Sequence, residues 1–292
     1  MAAAVSARAE KLAAQGRTLA QLRDEAFWHA LAPALHIADA AFLKDEGDAP
    51  DTPDTDDLAR EGYVQLRALA RGPELSAMAA AARALTANGL DPVFAFVYDE
   101  FWRPFFRLDA VYRRLLGPYA FLPDFWAWNV VPGGAGWGPH RDRGRESLLP
   151  DGSPISLTTW IAIGEATPLN GCLYMVPKHL DPTYGCESEN NWRFDHASIR
   201  ALPAEPGDVL IWDQAVMHWG GKSSPRAPAS RVSMSFEAQR LDVPSAEAPL
   251  ITPWQVVSFG DRLKLIAAKL LHYRHMNPLA PALEALASEL AE

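Results

Sequence analysis

From Phe125 onward the chain breaks into short apolar runs divided by Gly and Pro turns, at 125–131, 155–163, 171–176, 208–212 and 231–237. Runs of this length, rich in branched and aromatic residues and bounded by turn formers, are strands, and a series of them folds into a sandwich or jelly roll. Helical signals flank the series. Leu12, Leu19, Leu22, Phe27 and Leu31 recur near helical spacing over 5–43, with Pro33 as a break. Residues 73–85 begin on a Pro and stop before Asn88-Gly89, and 93–116 crowd Phe101, Trp102, Phe105 and Phe106 together. Two more helices are expected at 261–273 and 278–290. The expected class is mainly β with flanking helices, α+β.

Strand geometry then gives one short stretch a chemical meaning. In Trp137-Gly-Pro-His-Arg-Asp142 an imidazole and a carboxylate stand two residues apart after a Gly-rich turn. In extended chain, positions i and i+2 share a face, so His140 and Asp142 can reach one ion while Arg141 points away. A second imidazole, His218, follows the apolar run after Pro206-Gly, too far along for a local loop. Two His and one carboxylate from distant strands form the facial triad of non-haem Fe(II) oxygenases, which leaves three positions open on the metal. Taken alone, a His-x-Asp is more often a surface turn.

The next feature is Ser230-Arg-Val-Ser-Met-Ser-Phe-Glu237, whose alternation puts Arg231, Ser233 and Ser235 on one face and Val232, Met234 and Phe236 on the other. An Arg heading the polar face of a core strand calls for an anion, and its fork suits a carboxylate. A salt bridge to an acidic side chain is the competing reading. His272 and His275 stand three apart on an expected helix, but no third ligand accompanies them. His179 and His196 read as loop residues.

Together, four stretches resemble the phytanoyl-CoA dioxygenase family of Fe(II)- and 2-oxoglutarate-dependent oxygenases: Glu61-Gly-Tyr-Val-Gln-Leu66, Gly138-Pro-His-Arg-Asp142, Asn170-Gly-Cys-Leu-Tyr-Met-Val-Pro-Lys-His179, and Pro206-Gly-Asp208 through Arg231. The third departs from the family's pattern, with Lys178 in place of Gly-Ser. The resemblance covers about residues 57–240. It implies a double-stranded β-helix of the jelly-roll or cupin kind, with His140, Asp142 and His218 as iron ligands and Arg231 on the distal carboxylate of 2-oxoglutarate. Arg226 is a weaker alternative. Ser233 is a possible helper, and Asn129, on the strand face opposite Trp126 and Trp128, a further cofactor contact. The implied co-substrates are 2-oxoglutarate and O2, and the implied reaction is hydroxylation of a small molecule with release of succinate and CO2. Trp128, Arg143 and Arg145 are candidate substrate contacts. A cupin-like barrel that binds a metal or ligand without turnover is the alternative, and it has no use for the Arg.

At 292 residues and 49% hydrophobic, the chain suffices for one oxygenase domain, 1–292. Within it, 1–56 are expected as a helical extension with an acidic linker, 57–240 as the core and 241–292 as C-terminal helices. A net charge of −9 argues against nucleic acid and anionic membranes, which call for a basic surface. The N-terminus mixes charge with alanine and shows no signal-peptide core, and Cys172 and Cys186 form no disulfide framework. A cytoplasmic protein, monomeric or homodimeric, is expected.

Overall fold

A computed structural model describes residues 18–44, 53–67, 69 and 72–291. Four short helices come first: α1 (Leu19–Leu22), α2 (Glu25–Leu31), α3 (Ala40–Lys44) and α4 (Thr55–Glu61). The expectation at Leu12 and most of the acidic linker lie outside the described residues. The linker's end, however, is helix rather than loop. Asp54 caps α4 by accepting the Asp56 N–H, and Asp56 and Asp57 sit in the first turn, where the exposed N–H groups favour negative charge.

Strand β1 (Tyr63–Leu66) and helix α5 (Pro73–Ala87) follow as expected. The aromatic stretch after them is not one helix. It forms two 3-10 segments, Pro92–Val97 and Asp99–Phe101, then α6 (Arg103–Arg107) and α7 (Asp109–Leu116). Pro92 and Pro104 each open a new segment, since proline lacks the N–H that would continue the one before.

The remaining strands are β2 (Tyr119–Val130), β3 (Trp137–His140), β4 (Ser156–Ala162), β5 (Leu173–Met175), β6 (Arg200–Leu202), β7 (Val209–Asp213), β8 (His218–Gly220) and β9 (Arg231–Arg240). They make two antiparallel sheets, β1-β7-β4-β9-β2 and β3-β8-β5-β6. The pair is a jelly-roll core and does not close into a continuous barrel. β2 starts earlier than its apolar run suggests. Its pairing with β9 shifts register between Phe121 and Phe125, around Pro123, which has no N–H for the ladder.

The larger sheet has two different faces. Ile161, Val209, Ile211, Val232, Met234 and Phe236 look toward the helices and join their core, where the Phe105 and Phe236 rings stack with centroids 4.0 Å apart. Trp160, Leu210 and Trp212 look the other way and form a separate cluster with Leu173 and Met175 of the smaller sheet. The metal-binding candidates lie on this second side, between the sheets.

The C-terminal helices are α8 (Phe259–His272) and α9 (Pro281–Ala291). Arg262 of α8 is fully buried against Asp99 at 2.6 Å and donates to the carbonyls of Val97 and Val257 at 2.8 and 2.9 Å. Losing one partner of such a pair costs about 3–5 kcal/mol, because the other charge stays buried. This clamp fixes α8 to the strand layer through the 3-10 segments.

Candidate metal centre

His140 closes β3 and His218 opens β8, and the two are direct cross-strand partners. Their rings stand 4.3 Å apart between centroids. Each Nδ1 hydrogen-bonds a backbone carbonyl two residues upstream, His140 to Gly138 at 2.8 Å and His218 to Val216 at 3.0 Å. That bond fixes the tautomer and leaves each Nε2 with a lone pair for a metal. Both Nε2 atoms point at one oxygen, Asp142 Oδ1, each at 3.4 Å.

Asp142 lies two residues beyond the end of β3, so its placement is not given by strand alternation alone. Arg141 turns the other way, as alternation requires, and donates to Asp181 Oδ2 at 2.6 Å and Thr183 Oγ1 at 3.0 Å. The N–H groups of Arg143 and Gly144 both donate to the Gln214 carbonyl, which pulls the chain round after Asp142. The carboxylate's other oxygen, Oδ2, accepts from Thr158 Oγ1 at 2.7 Å and Trp212 Nε1 at 3.0 Å. One oxygen is thus tied down and the other is presented to the two histidines.

The electrostatics match this division. Burial raises the Asp142 carboxyl, but the nearby His218 and His140 and the Thr158 hydroxyl outweigh it and hold the group well below its ordinary range. Burial pushes His218 down to about 4, so its ring is neutral at neutral pH. His140 is lowered by burial, but its bond to Asp142 raises it more, and the net direction is upward. Among the described residues, one group of three or more His, Cys, Asp or Glu brings its ligand atoms within 4.8 Å of one another, and it is this one. His275 Nδ1 bonds the His272 carbonyl at 2.9 Å.

Arg231 starts β9 on the same inner face, 3% exposed. Its Nη1 donates to the Gly171 carbonyl at 2.5 Å, while its Nε has no partner among the described residues. Ser233, the next inward residue, is fully buried, and its Oγ has no partner among the described residues. Burial pushes Arg231 down to about 10, which leaves it charged at neutral pH. A buried guanidinium with a spare donor beside an unsatisfied hydroxyl is a cradle that could hold a carboxylate. The Asn170-Gly171 block builds it: Asn170 spans its turn by donating to Glu165 O and accepting from Thr167 N, at 2.8 and 2.7 Å. Gly171, at φ +89°, then aims its carbonyl at Arg231. Gly220 completes the cradle, because a Cβ there would lie 3.2 Å from Arg231 Nη1.

The other candidates are placed differently. Arg226 lies on an exposed turn. Trp128 pairs with Ser233 and shares its inner face. Asn129 pairs with Val232 on the opposite face, and its Nδ2 donates to Thr86 of α5 at 3.1 Å. The alternation along β2 holds, but the face carrying Asn129 is the helical one, so Asn129 is not brought to the cradle. Arg143 is not a free cation, since its Nη2 donates to Glu237 and Glu247, each at 2.9 Å. Arg145 stays half-exposed, 3.5 Å from Glu187. Thr158 and Trp212, which orient Asp142, carry no sequence signal: each sits in an apolar run that reads as core.

The family model for phytanoyl-CoA dioxygenase (PhyH) matches residues 52–228, more than half of the chain. This chain belongs to the phytanoyl-CoA dioxygenase family. Fe(II) and 2-oxoglutarate are the cofactors of that family of oxygenases, and the donor set described above fits both. An iron/alpha-ketoglutarate-dependent dioxygenase of Aspergillus calidoustus is 24% identical over 59% of this chain and 58% of its own length. A methylphosphonate hydroxylase of Gimesia maris is 27% identical over 37% of this chain and 41% of its own. The aligned stretches therefore span about half the length of these relatives. Among solved structures, the epimerase SnoN of nogalamycin biosynthesis has a TM-score of 0.51 at 20% identity, covering 77% of this chain and 98% of its own. EctD of S. alaskensis, solved with 2-oxoglutarate and 5-hydroxyectoine, has a TM-score of 0.51 at 19% identity, covering 70% and 83%. These structures share the fold. No helix among the described residues is long and apolar enough to cross a membrane.

Proposed function

We propose that this member of the family oxidises a C–H bond of a small-molecule metabolite, with hydroxylation as the outcome. His140, Asp142 and His218 would hold Fe(II), and Arg231 with Ser233 would hold the distal carboxylate of 2-oxoglutarate. The observation that carries the reading is the convergence of two Nε2 lone pairs on Asp142 Oδ1 in the same inter-sheet space as a buried Arg with an unpaired Nε. When bound, iron and 2-oxoglutarate supply the oxidising power: O2 is consumed, one oxygen enters the substrate, and the other leaves in succinate as CO2 is released.

The protein's part is to hold and orient. The backbone-bonded Nδ1 atoms keep both imidazoles in the ligating tautomer, and Thr158 and Trp212 keep Asp142 from rotating. Trp128, on the Ser233 face, would flank the substrate. Arg143, engaged by two carboxylates, contributes through that network rather than as a lone charge. Because a carboxylate, Asp142, occupies the third ligand position, no place is left for chloride there. The product should gain oxygen, not halogen.

The solved structures of shared fold include an epimerase and a carbocyclase, so the product's mass is the decisive measurement. Metabolites are screened for those that accelerate succinate formation from 2-oxoglutarate, and the product is weighed in chloride buffer. Gain of one oxygen supports hydroxylation. An unchanged mass, loss of two hydrogens, or a chlorinated product each overturns it. Arg231→Leu should raise the 2-oxoglutarate requirement at least tenfold with metal binding intact, as loss of a charged hydrogen bond of about 1.5–3 kcal/mol implies. If Arg226→Leu does this instead, the cradle is wrongly assigned.

A further inference from the structure

Asp142 is steadied from a single row across the larger sheet. Thr158 of β4 pairs with Trp212 of β7 on one side and with Glu237 of β9 on the other. Trp212 and Thr158 hold Asp142 Oδ2, so the third side chain of the row, Glu237, projects on the same inner face one strand further on. Ser235, Trp126 and Trp128 follow on the same side of the sheet, Trp126 with its indole edge-on to Tyr273 at 5.3 Å, and all four stay partly open to solvent. The space between the sheets therefore opens on this side, with a carboxylate and two indoles on its wall.

Glu237 belongs to a network that does not balance. Arg143 Nη2 donates to Glu237 Oε2 and Glu247 Oε1. Lys269 of α8 donates to Glu247 Oε2 at 2.9 Å and lies 3.4 Å from Asp124. Tyr273 donates its hydroxyl to the Asp124 carboxylate, at 2.8 Å from Oδ2 and 3.0 Å from Oδ1. Three carboxylates thus face two cations. Among the described residues Glu247 and Asp124 each have two partners and Glu237 has one, Arg143, so Glu237 is the acid left short of a cation. Its environment agrees: burial, with Asp124 and Asp142 adding to it, pushes the carboxyl up to about 8 despite Arg143, as for an acid short of a cation.

Building on the assignment of this space as the oxygenase site, we propose that the substrate carries a protonated amine, which pairs with Glu237 while Trp126 and Trp128 flank its carbon chain. A carboxylate beside indole faces suits an ammonium group and disfavours an acid.

The test uses the full-length protein and three probes of one shape, 4-phenylbutylammonium, 4-phenylbutanol and 4-phenylbutanoate, with binding measured by calorimetry at low and high salt. The ammonium should bind at least tenfold more tightly than the other two, weaken with salt, and lose about tenfold in Glu237→Gln. Arg143→Gln, which removes the cation paired with Glu237, should strengthen ammonium binding. Equal or tighter binding of the alcohol or the carboxylate, no ammonium binding at millimolar concentration, or loss of carboxylate binding in Arg143→Gln overturns the proposal. Succinate formation, followed in parallel, keeps the two readings apart. Turnover of 2-oxoglutarate without cation preference sinks only the substrate class, and cation preference without turnover sinks only the oxygenase reading.

Discussion

Thr158 donates its hydroxyl to Asp142 Oδ2 at 2.7 Å and accepts the Gln214 side-chain amide at 3.1 Å, so its single proton is committed to the carboxylate. A residue in the middle of a fully buried strand thereby decides which oxygen of Asp142 is free. Thr158→Val keeps the shape and removes the donor. Metal affinity should fall about 10–100-fold, the usual effect of deleting such an outer partner, with the metal-free melting temperature little changed. Metal titration of the variant checks it, and an unaltered affinity would mean that Trp212 suffices.

The two sides of β9 make a paired prediction. Ser233→Ala removes an unpartnered hydroxyl from the cradle and should raise the 2-oxoglutarate requirement about 2–10-fold, the equivalent of one hydrogen bond. Asn129→Ala acts on the helical face and should leave that requirement within twofold. Steady-state kinetics in 2-oxoglutarate compare them, and a larger effect at Asn129 would reverse the assignment of faces.

Gly62 ends α4 at φ +80°, and a Cβ there would stand 2.4 Å from Val216 Cγ2. Gly62→Ala combines a left-handed backbone penalty of about 1–2 kcal/mol with overpacking of about 1–3 kcal/mol. The variant should melt several degrees lower. An unchanged melt would show that α4 and β1 can part without loss.

Asp213, at the end of β7, is buried, and burial pushes its carboxyl up to about 6 although the Tyr184 hydroxyl pulls the other way. In the unfolded chain the group titrates near 4. The folded protein therefore keeps a proton that the unfolded chain gives up between about pH 4 and 6. Above that window the buried charge is a standing cost, and stability from this group rises as pH falls through it, by at most about 1.4 kcal/mol per unit. Asp213→Asn has no such proton. Between pH 7 and 4.5 the wild type should gain stability relative to the variant, and parallel curves would show that Asp213 does not titrate in this range.

Much of the architecture is legible in residue order. Turn-bounded runs mark the strands β4, β7 and β9, and Pro73 and Asn88-Gly89 bracket α5 within two residues, because these signals act locally. The aromatic stretch is legible only as a buried region, since its residues are apolar on all sides and no helical face stands out. β6 is too short and polar to announce itself, and it exists because β5 offers it an edge.

What the sequence determined by itself is the pairing of residues with periods. Arg231 and Ser233 share a side, and Asn129 opposes Trp128, because strand geometry imposes a period of two on any sequence. What only the tertiary structure decided is which side is inward and what stands there. Alternation is symmetric between the faces of a sheet, and the symmetry is broken when the helices cover the Val232 face and the smaller sheet approaches the other. That packing carries Asn129 away from Arg231 and brings Thr158 and Trp212 to Asp142. It also turns Arg143 from a loop cation into the partner of Glu237, a contact between residues that no local signal could join.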